Sequence, residues 1–190
     1  MTCEVLASIE LATIADPNLR FISAREILTK APERTRNSSH PFRIPCGLSS
    51  DVTCVIPDGL FGLGYLDSGK KSYRFFALEV DRGTMPVVRS RKDQTSYLAK
   101  LLAYREVLSQ ETHKSNFGLP NLFVLTVTTS EIHLQNMLSV FEHRIGGSTA
   151  FLFKPLKEEN FLGGMRKPEP TLLASPWHRV GQPPQGIMDR

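Results

Sequence analysis

The chain has 190 residues, 41% of them hydrophobic and 22% charged, with a formal net charge of +4. That balance excludes a disordered chain and gives one α/β-sized domain with enough apolar residues for a core. The mild basicity permits a polyanionic partner without demanding one. Cys3, Cys46 and Cys54 are an odd set with no CxxC, which argues against a disulfide framework or zinc ribbon and for free thiols in a reducing, cytoplasmic setting. Glu4 and Glu10 among the first apolar residues do not suit a signal peptide, and no apolar run approaches membrane-span length. Helical character from the first residues leaves two readings: the domain starts there, or the chain is the C-terminal part of something longer.

Val5, Leu6, Ile9 and Ala12 recur at helical spacing, so Thr2 to Ile14 is expected as an amphipathic helix ended by Asp16-Pro17-Asn18. Ser23 with Glu26 forms a capping box, flanked by Ile22 and Ile27 as a hydrophobic staple. That predicts a short helix from Ala24 to Lys30. Residues 31–51 read as a loop with one short strand near Phe42 to Ile44.

Val52 to Leu66 and Tyr73 to Asp81 read as strands of a hairpin turning at Asp67-Ser68-Gly69-Lys70. A helix is expected from Ser90 to Leu108, then a buried strand from Leu122 to Val127. Thr128 and Glu131 suggest a cap for the next helix, which ends at Gly146-Gly147. Ala150 to Phe153 is the last expected strand. The Pro-, Gly- and charge-rich remainder, residues 155–190, reads as a flexible tail in which Trp177 is untethered. The order predicts a mixed sheet with helices on both faces.

The chemistry concentrates at the end of the second hairpin strand. Residues two apart on a strand share a face, so Glu79 and Asp81 project together. Asp58, after Pro57, is expected within reach of Glu79 across the hairpin. Carboxylates converging at a strand end suit Mg²⁺, which takes oxygen ligands and can activate water. From Arg82 to Arg105 there are six basic residues (Arg82, Arg89, Arg91, Lys92, Lys100, Arg105) against one acid, Asp93. Such a run suits a phosphate backbone. The ordinary alternatives are that Asp58 caps a turn, that Glu79 and Asp81 keep a strand end soluble or pair with Arg82, and that the basic run is a solvated helix face. The five histidines show no metal-ligand spacing, with His133 and His143 expected on the solvent side of their helix. GxSxG, P-loop and GxGxxG motifs are absent.

Ile56-Pro57-Asp58-Gly59-Leu60-Phe61, Phe76-Ala77-Leu78-Glu79-Val80-Asp81-Arg82-Gly83-Thr84, and the helical Lys100 and Tyr104 resemble the plasmid replication-relaxation protein family, over residues 4–153. The arrangement is also similar to the PD-(D/E)xK nuclease superfamily. The resemblance implies a restriction-endonuclease-like mixed sheet flanked by helices over residues 1–154, with a function on DNA. Asp58 and Glu79 match the two metal-binding acids, with Mg²⁺ as cofactor. Asp81 stands where that motif has lysine. Lys100 is the candidate replacement, one helical turn before Tyr104, so that Asp58, Glu79, Asp81, Lys100 and Tyr104 form the candidate catalytic set. Arg82, Arg89, Arg91, Lys92 and Arg105 form the candidate nucleic-acid contacts. Two readings stay open: a metal-dependent nuclease or nicking module of a plasmid or mobile element, or an inactive nuclease-fold module that binds DNA or replication proteins. An upstream DNA-binding domain is a further expected partner.

Overall fold

In the computed structural model, residues 1–47, 52–67, 69–82, 97–156, 161–162, 165–166, 168–169 and 171–188 are described. Helix α1 (Thr2–Ile14) buries Val5 and Ile9. Beyond it Asp16 Oδ1 accepts the Asn18 N–H at 2.8 Å, an Asx turn that stops the helix. β1 (Leu19–Ile22) occupies a stretch where the sequence pattern suggested no element. α2 (Ala24–Lys30) starts at Ser23, whose Oγ accepts the Glu26 N–H at 3.2 Å. The expected loop holds a one-turn helix, α3 (Glu33–Arg36), and then β2 (Ile44–Pro45), which pairs with β3 (Cys54–Val55).

The first hairpin strand is therefore broken at Ile56-Pro57-Asp58. Proline cannot donate to the ladder, and the main hairpin begins only at β4 (Gly59–Asp67). It pairs antiparallel with β5 (Lys70–Asp81), from Gly59 opposite Leu78 to Asp67 opposite Lys70. Gly69 takes a φ of +83° at the turn, where glycine carries no Cβ penalty. Gly62 serves another purpose. A Cβ there would come within 2.8 Å of the Phe75 ring, so the missing side chain makes room for that ring.

After β5 come α4 (Tyr97–Ser109), α5 (Thr112–Phe117) and β6 (Phe123–Thr128). The expected start of α4 at Ser90 lies outside the described residues. α6 (Glu131–Ile145) is capped by Ser130, whose Oγ accepts the His133 N–H, rather than by Thr128. Thr128 is the last residue of β6, and the chain needs two more residues to turn into the helix. α6 ends at Gly146, φ +78°. β7 (Phe151–Pro155) completes a parallel trio with β5 and β6. Then come the short pair β8 (Phe161–Leu162) and β9 (Met165–Arg166), the turn of helix α7 (Thr171–Ala174), β10 (Trp177–Arg179) and β11 (Gln182–Gln185).

A mixed sheet of seven strands results, in the order β1-β4-β5-β6-β7-β10-β11. On one face, Leu60, Ala77, Val124 and Phe153 pack with α2, α4, α5 and α6. On the other, Phe61, Leu63, Phe76, Leu78, Leu125 and Leu152 pack with α1 and α7. No described helix is long and apolar enough to cross a membrane.

The reading of residues 155–190 as a tail outside the domain is corrected here. β10 pairs with β7 and β11 with β10, and Leu172, Leu173, Trp177, Val180 and Ile187 are buried. Lys154 holds this segment in place. Its Nζ donates to Leu172 O at 2.9 Å and Ser175 O at 2.6 Å, and stands 5.1 Å from the centre of the Trp177 ring. Burial lowers its pKa to about 8. Trp177 in turn donates to Leu172 O at 3.1 Å. The apolar residues of this segment lack regular spacing because strands of three and four residues are too short to show a period.

Candidate active site

Glu79 and Asp81 stand at the C-terminal end of β5 on the face covered by α4 and α6. Both side chains are buried, at 2% and 6% exposure, so neither merely solubilises a strand end. The parallel register places Thr126 beside Glu79 and Thr128 beside Asp81. Polar residues thus occupy two successive inward positions on both strands.

Helix α4 closes over Glu79. Lys100 Nζ donates to Glu79 Oε2, and Tyr104 OH donates to Glu79 Oε1 at 2.5 Å. Lys100 and Tyr104 are four residues apart and meet the same carboxylate, as one helical turn permits. One turn earlier, the Tyr97 hydroxyl shares a hydrogen bond with Thr126 Oγ1. Burial pushes the Glu79 carboxyl up to about 7, against the opposing pull of Lys100 and the Tyr104 hydroxyl; the Asp58 charge adds to the rise. Tyr97 and Tyr104 are raised well above 10, first by burial and then by Glu79, so both remain phenols.

Asp58 lies one residue beyond the Gly59–Leu78 pair, so the register carries it toward Glu79. Its Oδ2 accepts the Val80 N–H at 2.8 Å, bridging the break before β4 to β5. The side chain is exposed, and it is close enough for its charge to act on Glu79, Tyr97 and Tyr104. That bond reaches across to β5 rather than capping a local turn, and Asp58 stays near enough for its charge to act on Glu79.

Asp81 does not share the Lys100 contact. Its Oδ2 lies 2.7 Å from His133 Nε2, at the first turn of α6. His133 therefore faces the sheet rather than solvent, which corrects the sequence expectation; His143 is exposed as expected. The signal was available in part. Thr126 and Thr128 are two polar residues at strand period in an apolar run, and they mark the polar face toward which the next helix must begin. Thr128 Oγ1 is buried and, among the described residues, has no hydrogen-bond partner.

Of the candidate cations for nucleic acid, Arg82 and Arg105 are exposed, while Arg89, Arg91 and Lys92 lie outside the described residues. Among the described residues no group of three or more His, Cys, Asp or Glu side chains is arranged to hold a metal. A site of two carboxylates completed by water and phosphate oxygens lies below that number. Compared with known proteins, the chain matches no protein-family model, no curated protein and no solved structure.

Proposed function

We propose that this chain is a DNA-acting module of the replication-relaxation kind, built on a restriction-endonuclease-like sheet, with a metal-dependent nuclease or nicking site at Asp58, Glu79 and Lys100. One observation carries the reading: Lys100 reaches Glu79 from α4. The lysine absent from the Glu79-x-Asp81 position is thereby supplied from another element, beside the same carboxylate.

The donor set fits a hard divalent cation. Asp58 is exposed and holds only one of its oxygens in the Val80 bond among the described contacts. Glu79 is a buried carboxyl whose ionised form gains from any added positive charge. Asp58 and Glu79 would hold Mg²⁺, which would supply Lewis-acid chemistry toward a phosphodiester. Lys100 would orient the attacking water, and Tyr104 would fix the Glu79 carboxyl group. Arg82 and Arg105 would contact the phosphate backbone.

A second reading, an inactive nuclease-fold module that binds DNA or replication proteins, is favoured by the same contacts viewed differently. Both oxygens of Glu79 and one of Asp81 are already engaged by protein groups, as in a site whose polar cluster now only ties α4 and α6 to the sheet. Two assays separate the readings. Salt-dependent DNA binding tests the DNA role, since neutralised phosphates release counterions. Nicking of supercoiled plasmid in Mg²⁺ or Mn²⁺ tests the chemistry. Binding without nicking supports the second reading, and absence of both contradicts the proposal.

A further inference from the structure

A cavity of about 570 Å³ opens between α3, the 38–43 loop and α5. Arg34, His40 and Arg43 line it together with the hydroxyls of Ser38 and Ser115, and no acidic residue is part of its described lining. Several other cations are ion-paired: Arg20 and Lys30 both meet Glu26, and Lys114 meets Glu111. Among the described residues Arg34 and Arg43 have no carboxylate within ion-pair reach.

The walls of the cavity are stitched together. Arg34 Nη2 donates to Ser115 O at 2.7 Å, which fixes the guanidinium plane and leaves its other N–H groups available. Thr35 Oγ1 donates to Asn116 O at 2.5 Å, and Asn116 Nδ2 to Arg43 O at 3.4 Å. One guanidinium held by Ser115 O, a second on the same lining and no acidic residue among the described lining suit the fork geometry that recognises a phosphate group.

Its place in the fold links it to the candidate active site. Phe42 lines the neighbouring cavity in which Asp58 stands, while Pro41 and Arg43, on either side of Phe42, line the basic one. Three consecutive residues, 41–43, thus contribute to both linings.

We propose that the cavity bounded by Arg34 and Arg43 is a phosphate-binding subsite that holds a backbone phosphate of the DNA strand engaged at Asp58 and Glu79. The proposal rests on the nuclease-like reading for the identity of the strand; the phosphate chemistry is read from the cavity itself.

Arg43→Gln is the decisive variant, because no described contact depends on its side chain. Arg34→Gln supports it, with thermal melting to show that loss of the Ser115 contact leaves the fold intact. Binding of a labelled duplex is measured from low to moderate salt. Each variant is expected to lower the slope of log affinity against log salt by about 0.9, the value for one lost phosphate contact on B-form DNA. Glu79→Gln should leave the subsite's share of that slope in place. Inorganic phosphate is titrated in parallel by NMR of the full chain, and its shifts should map to Arg34 and Arg43 and disappear in Arg43→Gln. A duplex with a 5′-phosphate that gains nothing over one without it identifies an internal phosphate as the source; a gain lost in Arg43→Gln identifies the strand end. If DNA is bound and cut but Arg43→Gln keeps the full salt slope, the subsite is wrong while the nuclease-like reading stands. If phosphate binds at Arg34 and Arg43 but the chain binds no DNA, the phosphate site stands and its DNA source, with the nuclease-like reading, fails.

Discussion

Lys100 meets Glu79 across the interface between α4 and the end of β5, one turn before Tyr104 takes the other oxygen of the same carboxylate. If this pair is the working centre of a nuclease, Lys100→Ala abolishes metal-dependent cleavage while DNA binding persists through exposed arginines. Lys100→Arg fails as well, because a planar guanidinium does not replace a compact ammonium beside the attacking water. Parallel cleavage and binding assays check both. Full cleavage by Lys100→Ala would remove lysine from the mechanism.

The Glu79 carboxyl carries a pH signature. Its folded pKa of about 7 lies above its ordinary 4.5, so between those values the folded chain holds a proton that the unfolded chain has lost. Stability from this group is therefore fully present below pH 4.5 and falls as pH rises through 7, by about 3 kcal/mol at most. Chemical denaturation across that window should show the fall in the wild type and not in Glu79→Gln. Tyr104→Phe removes a donor to the ionised form and should move the upper end of the window higher. A pH-independent wild-type stability relative to Glu79→Gln would contradict this account of the burial.

Truncation after Pro155 should be strongly destabilising, because Trp177 is wholly buried and β10 extends the sheet from β7. Trp177→Ala alone should cost about 3–5 kcal/mol, a drop of roughly 10 °C in Tm for a domain of this size. Calorimetry on the full chain and the variant checks this. An unchanged Tm would restore the tail reading.

The sequence shows the frame of the molecule where its periods are long. α1, α2, the β4–β5 hairpin and the parallel strands are legible because apolar spacing, caps and turn residues agree. β1, α3 and α5 are not, since elements of four to six residues carry little periodicity and take their stability from partners distant in sequence. The site divides along similar lines. Local periodicity puts Glu79 and Asp81 on one strand face and Lys100 and Tyr104 on one helix face, so these two pairs can be read in advance. The contact between Asp81 and His133 spans 52 residues and depends on how the turn from β6 delivers α6, which no local spacing encodes.

That contact is open to a double-mutant cycle. Asp81→Ala and His133→Ala should each cost about 1–2 kcal/mol, and the pair together should cost less than the sum. Denaturant unfolding of the two single variants and the double variant supplies the three values. Additivity within about 0.3 kcal/mol would mean that the two side chains are not coupled in solution.

The proposed role of the cluster around Glu79 is metal-dependent cleavage of DNA. Its most direct test is the rate at which purified wild-type chain converts supercoiled plasmid to nicked circles in Mg²⁺ or Mn²⁺, beside Glu79→Ala prepared identically. The wild type is expected to nick the plasmid, with nicking that stops on chelation and is absent in Glu79→Ala. Equal conversion by both proteins, or none by the wild type in either metal, would contradict it.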